Sequence, residues 1–280
     1  MIFYKVTSPN NFPFLIADLS DPLLDLIALD DSIVDGVEVG PWSSIEQIIA
    51  YREKLPDLPF IFHGTNLIAE VGENSGVEER IQKYLTCTGS PWASVHLSVW
   101  DAGMLERLMR GERLPLPDPE QALARLLRRL DTLVNLVSVP VLVENIEPLP
   151  LDGYDFWSRP EYICRVLEKS GCGFLLDTGH LRVSAERFGM NVETYLGQLP
   201  LERVVEMHVS GPRRRDGRLM DVHESLQSVD YRLLESLLSH LTPKAVTLEY
   251  IRDGGMLSRQ LEHLRRMPGL DKLQSESVIR

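Results

Sequence analysis

Cysteine is scarce in this chain: Cys87, Cys164 and Cys172 are the only three in 280 residues. An odd, sparse set without Cys-x-x-Cys spacing argues against a disulfide framework and suits a reducing cytoplasm. Positive charge is also in deficit, with 29 Lys plus Arg against 41 Asp plus Glu and a formal net charge of -12. Such a balance repels nucleic-acid phosphate in general, although a local basic stripe is compatible with it. No stretch approaches the roughly 18 apolar residues that a membrane-spanning helix needs. The start, Met1-Ile-Phe-Tyr-Lys-Val-Thr-Ser-Pro-Asn10, has no long apolar run behind a basic segment, so no signal peptide is expected. These absences predict a soluble cytoplasmic protein with neither a membrane nor a nucleic-acid partner. Also absent is a Gly-x-Gly-x-x-Gly turn, the usual mark of a dinucleotide site. With no linker and no internal repeat, one domain is expected over residues 1–270, followed by a polar tail, 271–280.

The chain does show a rhythm of short apolar bursts alternating with longer helical patterns, as in a parallel βα sheet. The bursts are Phe14–Asp18, Asp35–Val39, Pro59–His63, Ala93–Leu97, Val139–Asn145, Gly173–Asp177, Arg203–His208 and Ala245–Glu249. Between them, helical periodicity predicts helices near Pro22–Leu29, after Ser43 or Ser44, and at Val77–Tyr84, Pro119–Asn135, Glu161–Lys169, Tyr231–Leu241 and Leu257–Arg266. The stretch from Arg213 to His223 reads as a loop, as does Pro148–Trp157. Eight such strands at this length predict an α/β fold, a closed (β/α)8 TIM barrel, for which about 250 residues is typical.

The chemistry sits where those bursts end. Gly173-Phe-Leu-Leu-Asp177-Thr-Gly-His180 runs from a buried strand into a carboxylate and an imidazole, although Asp-Thr-Gly alone also makes an ordinary turn. Other bursts end alike: His63, His96, Glu144, His208 and Glu249 fall at strand ends, and Asp221 and His223 follow the seventh strand. A single strand-end histidine is more often structural than a ligand. In a barrel, however, all these positions converge on one face. Four converging carboxylates repel one another or rise in pKa unless a cation compensates them. The set therefore predicts a multinuclear metal site built from His63, His96, Glu144, Asp177, His180, His208, Asp221, His223 and Glu249. Imidazole and carboxylate ligands without thiolate leave iron, zinc and manganese open and exclude an iron–sulfur cluster. Glu144, with two oxygens, is the natural bridge between ions.

The ordered pattern His63, His96, Glu144, Asp177-x-x-His180, His208, Asp221-x-His223 and Glu249 is similar to that of the endonuclease IV and xylose isomerase-like barrels. That likeness implies three ions. One would take His63, His96 and Glu144; the second Glu144, Asp177, His208 and Glu249; the third His180, Asp221 and His223. The words around the ligands resemble another branch, the multinuclear non-heme iron oxygenases that modify ribosomally made peptides, of the methanobactin-biosynthesis type. They are His63-Gly64, His96-Leu-Ser98, Glu144-Asn145, Ser170-Gly-Cys-Gly-Phe-Leu-Leu-Asp177, Val183-Ser-Ala185, Glu206-Met-His-Val-Ser-Gly211 and Asp221-Val-His223. The chain departs from that branch at His180, where many members carry Asn, at Gly211-Pro212 in place of Gly-His, and at Glu249-Tyr250 in place of Glu-Trp.

This resemblance implies two or three iron ions in a mixed-valent cluster, with zinc or manganese as alternatives and O2 as co-substrate. It further implies a small precursor peptide, presented by a partner protein and oxidised at a side chain such as cysteine. Glu144, Asp177, His208 and Glu249 would then surround the reacting centre. Asn145, Asn66 and Glu206 are weaker candidates for orienting ligands, and Arg213-Arg214-Arg215 for docking an acidic leader segment. The competing readings are a zinc phosphoesterase of the endonuclease IV type, which the negative charge disfavours, and a sugar isomerase or epimerase. A one-metal isomerase would leave several of the ligands unused. A non-enzymatic binding module fits least, because clustered histidines and carboxylates stabilise a fold poorly.

Overall fold

The computed structural model describes residues 13–271 apart from 74, 99–102, 105, 106, 108, 109, 113, 116, 117 and 150–154. Much of the Gly- and Pro-rich segment after the fourth strand, the centre of the Pro148–Trp157 loop and nearly all of the expected tail lie outside the described residues.

Eight parallel strands close into a barrel. They are β1 (Phe14–Asp18), β2 (Gly36–Val39), β3 (Phe60–His63), β4 (Ala93–His96), β5 (Val141–Glu144), β6 (Gly173–Asp177), β7 (Val204–Val209) and β10 (Ala245–Leu248). Closure comes from β1 pairing with β10, Phe14 opposite Ala245 through Ala17 opposite Leu248. The (β/α)8 expectation therefore holds, with strand bounds within a residue or two. Two further strands, β8 (Gly211–Arg215) and β9 (Arg218–Glu224), form an antiparallel hairpin outside the barrel, in the stretch expected to be a loop.

Among the described residues the main helices are α1 (Asp21–Leu29), α2 (Ile45–Lys54), α3 (Val77–Thr88), α4 (Pro119–Leu136), α5 (Pro160–Ser170), α6 (Thr178–Arg187), α7 (Val192–Leu196), α8 (Ser228–Leu238) and α9 (Gly254–Arg265). Local chemistry sets several starts. Ser44 and Gln47 exchange side-chain to backbone hydrogen bonds in a capping box at α2, and Asp118 caps α4 by accepting from the Gln121 N–H. Among the described residues no helix is long and apolar enough to cross a membrane.

Strand alternation divides the core in two. Outward-facing residues such as Leu15, Val37, Phe62, Val95, Val143, Leu176, Val209 and Leu248 pack under the helices in one continuous cluster. Ile16, Ile61, Trp92, Leu142, Leu175 and Ala245 form a separate plug inside the barrel. Gly36 takes an inward position of β2, where a Cβ would lie 2.8 Å from the Ile16 side chain. The plug fixes the register of what lies above it: two residues further along each strand, the next inward side chain is polar.

Candidate metal centre

Above the plug, each barrel strand contributes one acid or imidazole: Asp18, Glu38, His63, His96, Glu144, Asp177, His208 and Glu249, the last just past the end of β10. Period-two alternation in eight strands of matched register produces this ring. Most of its members are buried, and Glu38, Asp177 and His208 have no solvent exposure at all.

His63, His96 and Glu144 gather first. His63 Nδ1 lies 2.9 Å from Ser94 Oγ, whose own hydroxyl reaches the Phe62 carbonyl at 3.4 Å. Ser94 thus accepts from His63 Nδ1–H, and the His63 lone pair is on Nε2. That Nε2 lies 3.2 Å from His96 Nε2, 3.2 Å from Glu144 Oε2, and the same carboxylate oxygen is 3.4 Å from His96 Nε2. Two ligands sharing an ion at about 2.0–2.2 Å sit roughly 3–3.6 Å apart, which these separations match.

Glu144, Asp177 and His180 form a second group. Asp177 is the N-cap of α6, its Oδ1 accepting the His180 N–H at 2.5 Å. The Asp-Thr-Gly segment therefore opens a helix instead of ending in a free turn, and the cap aims both side chains inward. Asn145 holds Asp177 from the side, accepting the Asp177 N–H at 2.9 Å and donating to its carbonyl at 3.0 Å. The Asn145 carbonyl accepts from His180 Nδ1 at 2.9 Å, so the His180 lone pair is on Nε2, 3.7 Å from Asp221 Oδ2.

Asp221 and His223 come from the hairpin strand β9 and meet Glu249 there. His223 Nε2 is 3.9 Å from Asp221 Oδ2 and 3.8 Å from Glu249 Oε2. The hairpin has little apolar core and is held by polar contacts. Glu147 accepts the Asp221 N–H at 3.1 Å, Glu186 accepts from Arg214 and from the Leu219 N–H, and Arg252 donates to Glu224 and to the Val222 carbonyl. It also approaches α6 closely. A Cβ on Gly179 would lie 2.1 Å from Ser210 Oγ and 2.6 Å from Asp221 Oδ2, so only glycine leaves room for Asp221.

The last group is Glu38, His208 and Glu249. Glu38 is the ligand-like residue that sequence reasoning passed over, as it did Asp18. Both are acids at the inward register of their strands, so counting two residues on from Ile16 and Gly36 would have found them.

Electrostatics of the metal-free ring are strained in both directions. Burial pushes the His63 imidazole down to about 3 despite the pull of Glu144. Burial and the Glu249 charge push Asp18 up to about 7. Burial also raises Asp177 and Glu38 well above the ordinary carboxylate range. It would raise Glu144 too, but His96 and His63 outweigh it and hold that carboxyl at about 2. Both oxygens of Glu144, Oδ2 of Asp177, Oε2 of Glu249, Oε1 of Glu38 and Nδ1 of His208 are buried without a hydrogen bond. Such atoms are costly unless a cation pairs with them. The donor set of nitrogens and oxygens fits iron, zinc or manganese ions.

All nine residues expected at the site converge on it; His63, His96 and Glu144 group as expected, and the others group differently. His208 and Glu249 lie with Glu38, while Asp177 lies with Glu144 and His180. Of the weaker candidates, Asn145 orients Asp177 and His180 as described, and Asn66 is exposed on the turn after His63. Glu206 accepts from Trp92 Nε1 and Thr247 deeper in the barrel, 3.9 Å from His208 Nε2. Arg213 and Arg214 anchor the hairpin through Ser225 and Glu186.

Comparison with known proteins bears on the fold and the family. The chain is 25% identical over 237 residues to a UPF0276 protein of Caulobacter vibrioides, covering 83% of this chain and 81% of that one. It is 29% identical over 215 residues to a UPF0276 protein of Pseudomonas aeruginosa, covering 72% of each. Among solved structures it is similar to the 3-keto-D-glucoside 4-epimerase YcjR from E. coli, with a TM-score of 0.60, 16% identity, and 89% and 97% of the two chains covered. A putative xylose isomerase from Rhodospirillum rubrum gives a TM-score of 0.56 at 15% identity, covering 88% and 94%. These likenesses place the fold among xylose isomerase-like barrels. Residues 30–268 match the model of the RiPP precursor modification enzymes MbnB/TglH/ChrH, where RiPP denotes a ribosomally made, modified peptide. The chain belongs to that family of enzymes, which act on precursor peptides.

Proposed function

We propose that this enzyme is a multinuclear non-heme iron oxygenase that oxidises a side chain, cysteine by expectation, of a ribosomally made precursor peptide presented by a partner protein. The observation that carries the reading is the set of four ligand groups, two sharing Glu144 and two sharing Glu249, with buried carboxylate oxygens of Glu144, Asp177 and Glu249 left without hydrogen bonds. His63, His96 and Glu144 would hold one ion, and His180, Asp221 and His223 another. Between them, Glu144, Asp177, His208 and Glu249 would hold a third. Iron bound there would supply the one-electron chemistry through which dioxygen acts on the peptide.

The chain's own residues do the rest. Ser94 and Asn145 fix which nitrogen of His63 and His180 faces inward. The apolar plug closes the barrel below. Trp42, half-exposed with its ring centred 6.3 Å from that of His63, offers a flat apolar contact beside the ligands for the entering peptide. The test is the metal content of anaerobically purified protein with its Mössbauer spectrum, followed by mass spectrometry of a short cysteine-bearing peptide encoded beside its gene. Two or three irons per chain and an oxygen-dependent mass change in the peptide are expected. Stoichiometric zinc without iron, together with nicking of abasic DNA, would sink the reading.

A further inference from the structure

Three imidazoles of the centre are each held through one ring nitrogen, and the holding groups differ. His63 is held by a hydroxyl, His180 by a backbone carbonyl, and His208 by a carboxylate: Glu38 Oε2 lies 3.1 Å from His208 Nε2. Glu38 comes from β2 and is fully buried, on the strand that pairs with β1 through Asp18 opposite Glu38. The other nitrogen of His208, Nδ1, lies 3.2 Å from Glu249 Oε1 and makes no hydrogen bond. Glu206 also approaches Nε2, at 3.9 Å, but both its oxygens are taken, by Trp92 and Thr247.

We infer that Glu38 is a positioning residue: it takes the Nε2–H of His208, so that Nδ1 presents its lone pair to the ion that Glu249 also binds. Only the Nε2 contact has hydrogen-bond geometry, which fixes the proton there. Nδ1 and a carboxylate oxygen facing each other without a bond are then two donors aimed at one cation. An anionic partner on the far nitrogen also makes an imidazole a stronger donor than a hydroxyl or a carbonyl does. With a cation bound and Glu38 ionised, His208 is therefore a stronger donor than His63 or His180, and Glu38 sets that property without touching the ion. The inference rests on the metal-site reading above, though not on which metal is native or on the oxygenase reaction.

The test titrates the chelator-treated full chain with Co(II), whose visible absorption reports ligand field, for wild type and for Glu38→Gln, Glu38→Ala and His208→Ala. Gln is isosteric and still accepts from Nε2–H but lacks the charge. Glu38→Gln should keep the wild-type stoichiometry with a shifted spectrum for one ion. Glu38→Ala should weaken that ion about 10–100-fold, as loss of an outer partner does, and His208→Ala should lose it. Loss of the ion in Glu38→Gln as complete as in His208→Ala would make Glu38 a ligand and overturn the proposal. Wild-type affinity and spectrum in both Glu38 variants would overturn it as well. No Co(II) uptake by the wild-type chain would instead overturn the metal reading on which it stands.

Discussion

Eight of the nine candidate ligands of this centre come from two kinds of backbone, and the ninth, His180, from the first turn of α6. His63, His96, Glu144, Asp177, His208 and Glu249 project from or just beyond barrel strands, whose register is fixed by a closed ladder and an apolar plug. Asp221 and His223 project from a hairpin that is held to the barrel top by side-chain contacts. Burial separates the two ends of the set: the His208 side chain is fully buried and that of His223 is 46% exposed, while that of Asp221 on the same hairpin is buried. Barrel ligands are thus pre-organised by the fold itself, and moving one means breaking the core. Hairpin ligands are placed by a few polar contacts, so their position is set by local chemistry and can be altered alone.

The largest expected effect comes from removing the residue that the barrel groups share. Glu144→Ala takes a carboxylate from both the His63–His96 group and the Asp177–His180 group, and leaves His63 and His96 facing each other at 3.2 Å. Metal analysis should show two ions lost per chain, with peptide turnover falling by more than the roughly 10–100-fold typical of outer-sphere losses. His223→Ala should cost only the hairpin-side ion. Equal metal loss in the two variants would remove the distinction between shared and peripheral ligands.

The same division explains what the sequence could reveal. Barrel ligands were legible because a buried strand that ends in a polar residue is visible in one dimension, and six of them imply convergence. Glu38 escaped because it lies inside its burst, followed by Val39, and looks like one charge in an apolar word. The hairpin escaped for a different reason. Gly211-Pro-Arg-Arg-Arg215 carries no period-two apolar pattern, and its strand form depends on partners distant in sequence, Glu147, Glu186 and Arg252. The start of α6 at Thr178 was hidden by a Gly at its second position, which the close approach of Asp221 requires. The sharing of ligands among ions depends on distances between strands, which no local pattern contains.

A smaller effect should separate the hairpin from the barrel without touching a ligand. In Gly179→Ala the new methyl would meet Ser210 Oγ and Asp221 Oδ2 well inside contact distance. Relieving such overpacking typically costs about 1–3 kcal/mol, and the hairpin is the part free to move. Metal titration should show the hairpin-side ion weakened by about tenfold, from roughly 1.4 kcal/mol of that cost, with the barrel ions unchanged. If the barrel ions weaken equally, the hairpin is not the softer element.

The smallest effect is one of pH, and it weighs on the barrel side first. Asp18 is pushed up to about 7 from its ordinary 3.8 by burial and the Glu249 charge. The folded metal-free chain therefore holds a proton on Asp18 between about pH 4 and 7 that the unfolded chain releases. Stability from this group is present at the acid end of that window and is lost as pH rises through it. Glu38 and Asp177 are raised too and act in the same sense. Thermal unfolding of chelator-treated protein should give a melting temperature that falls between pH 5 and 8. Asp18→Asn, neutral throughout, should flatten that fall by about 2–4 °C for each kcal/mol the group contributes, while His223→Ala on the exposed hairpin should change it less. A slope untouched by Asp18→Asn but abolished by His223→Ala would reverse the assignment of strain to the barrel ring.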